Sequence, residues 1–218
     1  MDNPHSGSGV SGSGIAGSGF ASDTAFSPAV KQIQTRKGSR KSYAHKDESG
    51  GWRTEVDAGL ADYLAHANSF YLATASADGQ RYIQHRGGPK GFLHVIDSHT
   101  LAFADFAGNR QFITQGNLLE NPKAYIFVMD YMNRRRIKLW GEARVIEDDA
   151  ALLARLMPDG YKARPEQAIV FSIKVWDSNC PQHIPQKFDA ADVAQALAIR
   201  DARIAQLEAQ LAAVGVKA

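Results

Sequence analysis

RRIKLWGEARVI, Arg135 to Ile146, alternates without a break: Ile137, Leu139, Gly141, Ala143 and Val145 fall on one side of an extended chain, and Arg136, Lys138, Trp140, Glu142 and Arg144 on the other. Successive side chains of a strand point to opposite faces, so the first set reads as core and the second must meet water, a partner or a ligand. Outward from it, SFYLATA (69–75), RYIQHR (81–86), TLAFAD (100–105), KAYIFVM (123–129) and IVFSIKVW (169–176) are β-branched or aromatic runs separated by turn signals such as Asp78-Gly79. The first two of these, joined by SADG, read as a hairpin. Six strands with few helices between them predict a mainly β fold, an antiparallel barrel, with peripheral helices over 111–119 and 150–157. Before the sheet, Leu60, Tyr63, Leu64 and Ala67 recur at helical spacing behind Asp57, which can cap.

Composition divides the chain into three. Residues 1–25 carry the Gly/Ser run SGSGVSGSGIAGSG, which buries too little apolar surface to offset its ordering entropy and reads as a flexible tail. From Phe26 to Trp52 the chain is basic, with Lys31, Arg36, Lys37, Arg40, Lys41 and Lys46 before the first acid, Asp47; a solvated face is the ordinary meaning of such a run, and no nucleic-acid partner is expected. Residues 26–188 hold a helical lead-in and the barrel, and residues 189–218 an amphipathic helix. In that helix Val193, Leu197, Ile204, Leu207, Leu211 and Val214 follow a heptad repeat interrupted by Arg200; packing on its own domain and pairing between subunits are both open. The 218 residues include one cysteine, Cys180, which excludes an internal disulfide and fits a reducing compartment. No run approaches the roughly 20 apolar residues of a membrane span, so a cytoplasmic protein is expected.

Four clusters are candidates for chemistry. In QHRGGPKGF (84–92) a strand bearing Gln84, His85 and Arg86 meets Gly87 and Gly88, which let a flat ring approach the backbone or, equally, make a bulge at a barrel corner. Second, Asn109, Arg110 and Gln111 follow the strand TLAFADFA and read as a helix entry. The unpaired N–H groups there, with an arginine fork, suit a phosphate; a simple cap with a solvated arginine is the alternative. Third, Arg136 and Lys138 share a strand face beside Arg134 and Arg135, a concentration of cations that suits an anion or protects an edge strand. Fourth, WDSNCPQHIPQKF (176–188) cannot continue a central strand and suits a loop closing over a bound ring. Cys180 and His183 are two ligands without a CxxC or HxxxH elsewhere, so no metal site is expected.

Taken in order, DGQRYIQHRGGPKGF, DFAGNRQ, ENPKAYIFVMD, MDYMNRRRIKLWG and NCPQHIPQKF resemble the pyridoxamine 5′-phosphate oxidase-like family, and within it a flavin-nucleotide-binding branch. The resemblance spans about Phe26 to Phe188 and makes the basic segment an ordered lead-in. It implies a six-stranded antiparallel FMN-binding split barrel with a C-terminal helix, FMN as cofactor, and a homodimer with FMN at the subunit interface. By position it implies that Gln84, His85, Arg86, Gly87 and Gly88 line the flavin, that Ala104 and Asp105 lie beside it, and that Asn109, Arg110 and Gln111 hold the phosphate. Gln111 stands where the family commonly has lysine, so Arg86, Arg136 and Lys138 are the further cations expected to share the phosphate or the reduced ring.

Trp176, Gln182 and His183 complete the implied set, and His85 and His183 are the candidate proton donors. CPQHIP replaces the cationic closing segment of the vitamin-processing oxidase, so pyridoxamine phosphate is not the expected substrate. The function expected is oxidoreduction between a reduced donor such as NAD(P)H or a deazaflavin and a small substrate. Flavin binding without turnover, in storage or sensing, and haem binding are the alternatives.

Overall fold

Seven antiparallel strands, β1 (Ser69–Ala75), β2 (Arg81–Gly87), β3 (His94–Asp97), β4 (Thr100–Phe106), β5 (Lys123–Asp130), β6 (Arg135–Ile146) and β7 (Pro165–Ser178), make one sheet in the order β2-β1-β5-β6-β7-β4-β3, and strand alternation decides which side of each is core. The computed structural model describes residues 20–178 and 181–215. Residues 1–19 of the expected Gly/Ser tail, and Cys180, lie outside the described residues. The chain divides after Gly51, so the helical lead-in that the sequence groups with the barrel is a compact unit of its own.

In that first unit Ala21–Thr24 form a 3-10 turn, within the stretch expected to be flexible tail. Helix α1 (Pro28–Lys37) starts with Ser27, whose hydroxyl accepts from the Val30 amide, and Pro28 in the first turn, and ends at Gly38 in the left-handed region. Helix α2 (Arg40–Glu48) follows directly. Arg40 donates to Gln34 (2.9 Å) and to Asp47 (2.8 Å), so part of the basic run is engaged within the unit.

The second unit opens with α3 (Ala58–His66), capped as expected by Asp57, which accepts from the Leu60 amide at 2.8 Å. Strands β1 (Ser69–Ala75) and β2 (Arg81–Gly87) form the expected hairpin. Strand β3 (His94–Asp97) is the one that six-strand counting misses: four residues between turns are too few to show a period. Strand β4 (Thr100–Phe106), helix α4 (Ile113–Glu120) and strands β5 (Lys123–Asp130) and β6 (Arg135–Ile146) follow. Helix α5 (Ala150–Leu156), strand β7 (Pro165–Ser178) and helix α6 (Ala190–Ala213) complete the chain.

Along β6, Ile137, Leu139, Gly141 and Ala143 are buried and Arg136, Lys138 and Trp140 are half-buried on the other face, the division read from the sequence. The main core joins α3 to the inner face: Leu60, Tyr63 and Leu64 pack with Phe70, Leu72, Ile126, Leu139 and Phe171. A smaller core lies where α5 covers β4 and β7, with Ala102, Ala104, Ala168 and Val170 beneath Leu156. Because the sheet is covered on both sides there, β4 and β7 read as continuous apolar runs. Among the described residues no helix is long and apolar enough to cross a membrane, and no cluster of three or more histidine, cysteine or carboxylate side chains is placed to hold a metal.

Candidate functional site

The predicted helix entry is displaced. Asn109, Arg110 and Gln111 do not open α4; they belong to a loop, and the helix begins at Ile113. Asn109 is used within the loop, its side-chain oxygen accepting from the Gln111 amide at 3.2 Å, and Arg110 and Phe112 both adopt positive φ (59° and 55°). Two non-glycine residues in the left-handed region interrupt helical geometry, which is why the helix starts later than the sequence suggests. The consequence for anion binding is favourable all the same. No side chain caps α4 at Phe112, so the amides of its first turn are left as donors, and the loop carries Arg110 beside them.

A cavity of about 220 Å³ opens at this point, lined by Gln84 and Arg86 of β2, Asp105 of β4, the loop 108–112 and the first turn of α4. Thr114, buried in that turn, donates to Gln84 at 2.8 Å and fixes its amide. Arg86 is ion-paired to Asp105, whose other oxygen accepts from buried Gln167 at 3.0 Å. The Arg86 Nε is buried without a hydrogen-bond partner, and Arg110 forms no ion pair among the described residues. Here, then, are two guanidinium groups, one with an unused buried donor and one exposed, facing the start of a helix.

The remaining predicted residues separate by the strand period. His85 points to the sheet face opposite Gln84 and Arg86, where it packs edge-on against Tyr71 at 5.5 Å. In register with it across β1, β5 and β6 are Phe127 and Lys138, and Tyr125 and Trp140 lie one pair along. Tyr125 stacks on Phe127 and meets Trp140 edge-on at 5.1 Å, so this outer face is an aromatic surface carrying Arg136 and Lys138. Burial pushes the Tyr125 phenol up to about 12, opposed by Arg136 and reinforced by Asp177. Lys138 is paired with Asp177 at 3.5 Å. One chain therefore does not bring Arg136 and Lys138 to the cavity that holds Arg86 and Arg110.

Three expectations meet the core instead. Ala104 is buried in the smaller core. Trp176 is 1% exposed, its ring nitrogen donating to the Glu55 carbonyl at 2.7 Å, so it has no face to offer a ligand. Gly87 ends β2 and is exposed, whereas a Cβ on Gly88, the next residue, would stand 2.7 Å from the Phe92 ring; close packing accounts for that glycine without a flavin. Gln182 and His183 are exposed in the segment after β7, away from the cavity, with His183 at a φ of 61°. Thr114 and Gln167 also line the cavity, and neither is a candidate from the sequence. Their roles come from non-local pairing, Asp105 opposite Gln167 in the β4–β7 ladder, which leaves no local pattern in the sequence.

A larger cavity, about 500 Å³, lies between the end of α3, the β5–β6 turn and the start of α6. Its carboxylates are already engaged: Asp130 by Asn133 and Arg135, Asp189 by Asn68, Asp192 by Lys90. Its floor, Tyr63, has its phenol pushed up by burial, and the hydroxyl donates to the Val128 carbonyl at 3.1 Å. The smaller cavity, with donors unspent, is the stronger candidate.

Among solved structures, HupZ from Group A Streptococcus is 16% identical, covering 61% of this chain and 99% of its own, with a TM-score of 0.48. A candidate pyridoxamine 5′-phosphate oxidase from Lactobacillus delbrueckii is 18% identical, covering 57% of this chain and 95% of its own, with a TM-score of 0.45. A Clostridium acetobutylicum protein related to general stress protein 26 is 15% identical, covering 63% of this chain and 99% of its own, with a TM-score of 0.43. No curated protein sequence matches. The family model described as pyridoxamine 5′-phosphate oxidase matches residues 56–180, from the lead into α3 to the end of β7, and the chain belongs to that family.

Proposed function

We propose that this chain binds FMN and acts as an oxidoreductase on a small substrate other than pyridoxamine phosphate. The observation that carries the reading is the convergence of Arg86 and Arg110 on one cavity at the uncapped start of α4. A phosphate dianion there meets charge-assisted donors from both guanidinium groups and from first-turn amides, and the orphaned Arg86 Nε is a donor that such a group would satisfy. Gln111 adds no charge, so Arg86 takes the part that a lysine at that position has in relatives.

At about 220 Å³ the cavity is smaller than the roughly 300–1,000 Å³ typical of sites for whole cofactors. It accommodates the phosphate end and leaves the ring to be covered by other surface. The outer face of β2, β1, β5 and β6, with its aromatic side chains and Arg136 and Lys138, is suited to that task if a second copy brings it over the first. A homodimer with two shared sites follows.

FMN, when bound, supplies hydride and one-electron chemistry at its ring. The chain's share is to anchor the phosphate through Arg110 and Arg86 and to lend cationic charge from Arg136 and Lys138. His85, exposed on the aromatic face, and His183, exposed after β7, are the candidate proton donors. The closing segment from Pro181 carries Gln182 and His183 but no arginine, which argues against a dianionic substrate.

Purified protein reconstituted with FMN is expected to be yellow and to bleach with NADH, NADPH or a reduced deazaflavin. Yellow protein that no donor reduces favours flavin storage or sensing. Colourless protein that takes up no FMN yet gives a Soret band with haem overturns the reading.

A further inference from the structure

Helix α6 leaves its own domain. Asn68 holds Asp189 at 3.0 Å and Lys90 pairs with Asp192 at 3.7 Å, which fixes the start of the helix, but no residue of the helix is buried. Its apolar stripe stays in solvent: Leu197 is 52% exposed, Ile204 53%, Leu207 41% and Leu211 40%. The spacing between stripe residues from Val193 to Val214 is four, three, four, three, four and three, the seam of a two-stranded coil and narrower than the stripe of a helix lying on a sheet.

We propose that this seam is covered by the same helix of a second copy, in parallel. Charge at the flanking positions selects both partner and direction. With Leu197, Ile204 and Leu211 at heptad position a, Arg203 falls at g, and Asp201 and Glu208 fall at e. In a parallel pair each g residue faces the e residue five places on in the other helix, so Arg203 meets the partner's Glu208 on both sides of the seam. Arg200, at d, packs beside the partner's Asp201, which gives the one polar residue of the stripe a counter-charge. In an antiparallel pair e faces e, and Asp201 would oppose the partner's Glu208, acid on acid. The pairing uses no residue of the proposed flavin site and stands or falls apart from it.

Cysteine cross-linking in a Cys180→Ser background, which leaves no other thiol, tests the pairing in the full chain. Leu197→Cys and Leu211→Cys are each expected to give a covalent dimer with itself under mild oxidation, while Ala205→Cys, off the seam, gives none. In the antiparallel alignment two copies of position 211 would stand about 16 Å apart at 1.5 Å per residue, beyond disulfide reach. Arg203→Glu is expected to slow cross-linking at position 197 several-fold, and adding Glu208→Arg to restore it. Cross-linking at neither seam position above the Ala205→Cys level, or only on mixing the Leu197→Cys and Leu211→Cys chains, overturns the proposal. So does a rate indifferent to both charge changes.

Discussion

Arg86 and Arg110 face the same cavity but are held differently, and this separates the effects of removing them. Arg110 is exposed on a loop and makes no ion pair among the described residues, its guanidinium lying 5.6 Å from the Phe112 ring. Arg110→Ala is therefore expected to leave the melting temperature unchanged while weakening FMN binding by about 1.5–3 kcal/mol, the range for a hydrogen bond to a charged group. Flavin fluorescence titration gives the affinity, and an unchanged value counts against the phosphate assignment. Arg86 is 13% exposed and neutralises Asp105, itself 13% exposed, so its loss strands a carboxylate. Arg86→Ala is expected to lose affinity and also about 1–3 kcal/mol of fold stability, read from urea unfolding of the ligand-free protein. That Arg110 is a candidate was legible in the sequence through its place after TLAFADFA. The way it is presented was not: the left-handed backbone at Arg110 and Phe112 is set by the loop's path between β4 and α4, and neither residue type announces it.

Strand β6 shows which elements local pattern can specify. Twelve residues of unbroken alternation gave its limits and its buried face, whereas β3, with four residues, has no period to detect. Pairing across the sheet is a further level that no single stretch contains. Where β6 meets β7, Trp140 pairs with Val175 but Gly141 with Ile173, so Lys174 is an extra residue and the strands close up at the glycine. A Cβ on Gly141 would sit 2.1 Å from the Ser172 carbonyl oxygen and 2.7 Å from the Phe171 ring, so backbone must move. Gly141→Ala is expected to cost about 1–3 kcal/mol in urea unfolding, as overpacking does; a neutral result would mean that the bulge is looser than its geometry.

The β5–β6 turn offers a test by pH. Asp130 lies below the ordinary 3.8: burial raises it, but hydrogen bonds from the Asn133 amide and side chain and from Arg135, with the Arg135 charge, outweigh burial. A carboxylate that titrates lower folded than unfolded stabilises the fold above the unfolded value, and that contribution disappears as pH falls through the folded value. The melting temperature of the native chain is thus expected to fall below about pH 4. Asp130→Asn should melt lower at pH 7, by an amount equivalent to roughly 0.5–1.5 kcal/mol, and lose less on acidification. Parallel melting curves for the two proteins from pH 3 to 7 would remove Asp130 from the account.

At the scale of the molecule, the outer face of β2, β1, β5 and β6 asks for a partner. Ile83 is 65% exposed and Tyr71 38%, and Phe127, Tyr125 and Trp140 continue the surface, a concentration of apolar side chains that monomers seldom leave to water. The cavity proposed for the phosphate opens elsewhere, on the side of Gln84 and Arg86, so the alternation of β2 alone puts its two sets of predicted residues on different surfaces. In the proposed dimer Gln84, His85 and Arg86 would line one site from two sides, one chain offering Arg86 to the phosphate and the other its aromatic face to the ring. Ile83→Glu puts a charge on this face at a distance from the cavity's own donors. If FMN is shared between copies, the variant is expected to sediment as a smaller species than the native chain and to bind FMN at least tenfold more weakly, although Arg86 and Arg110 are untouched. Retention of native affinity by a dissociated Ile83→Glu chain would make each cavity complete by itself and confine the aromatic face to assembly.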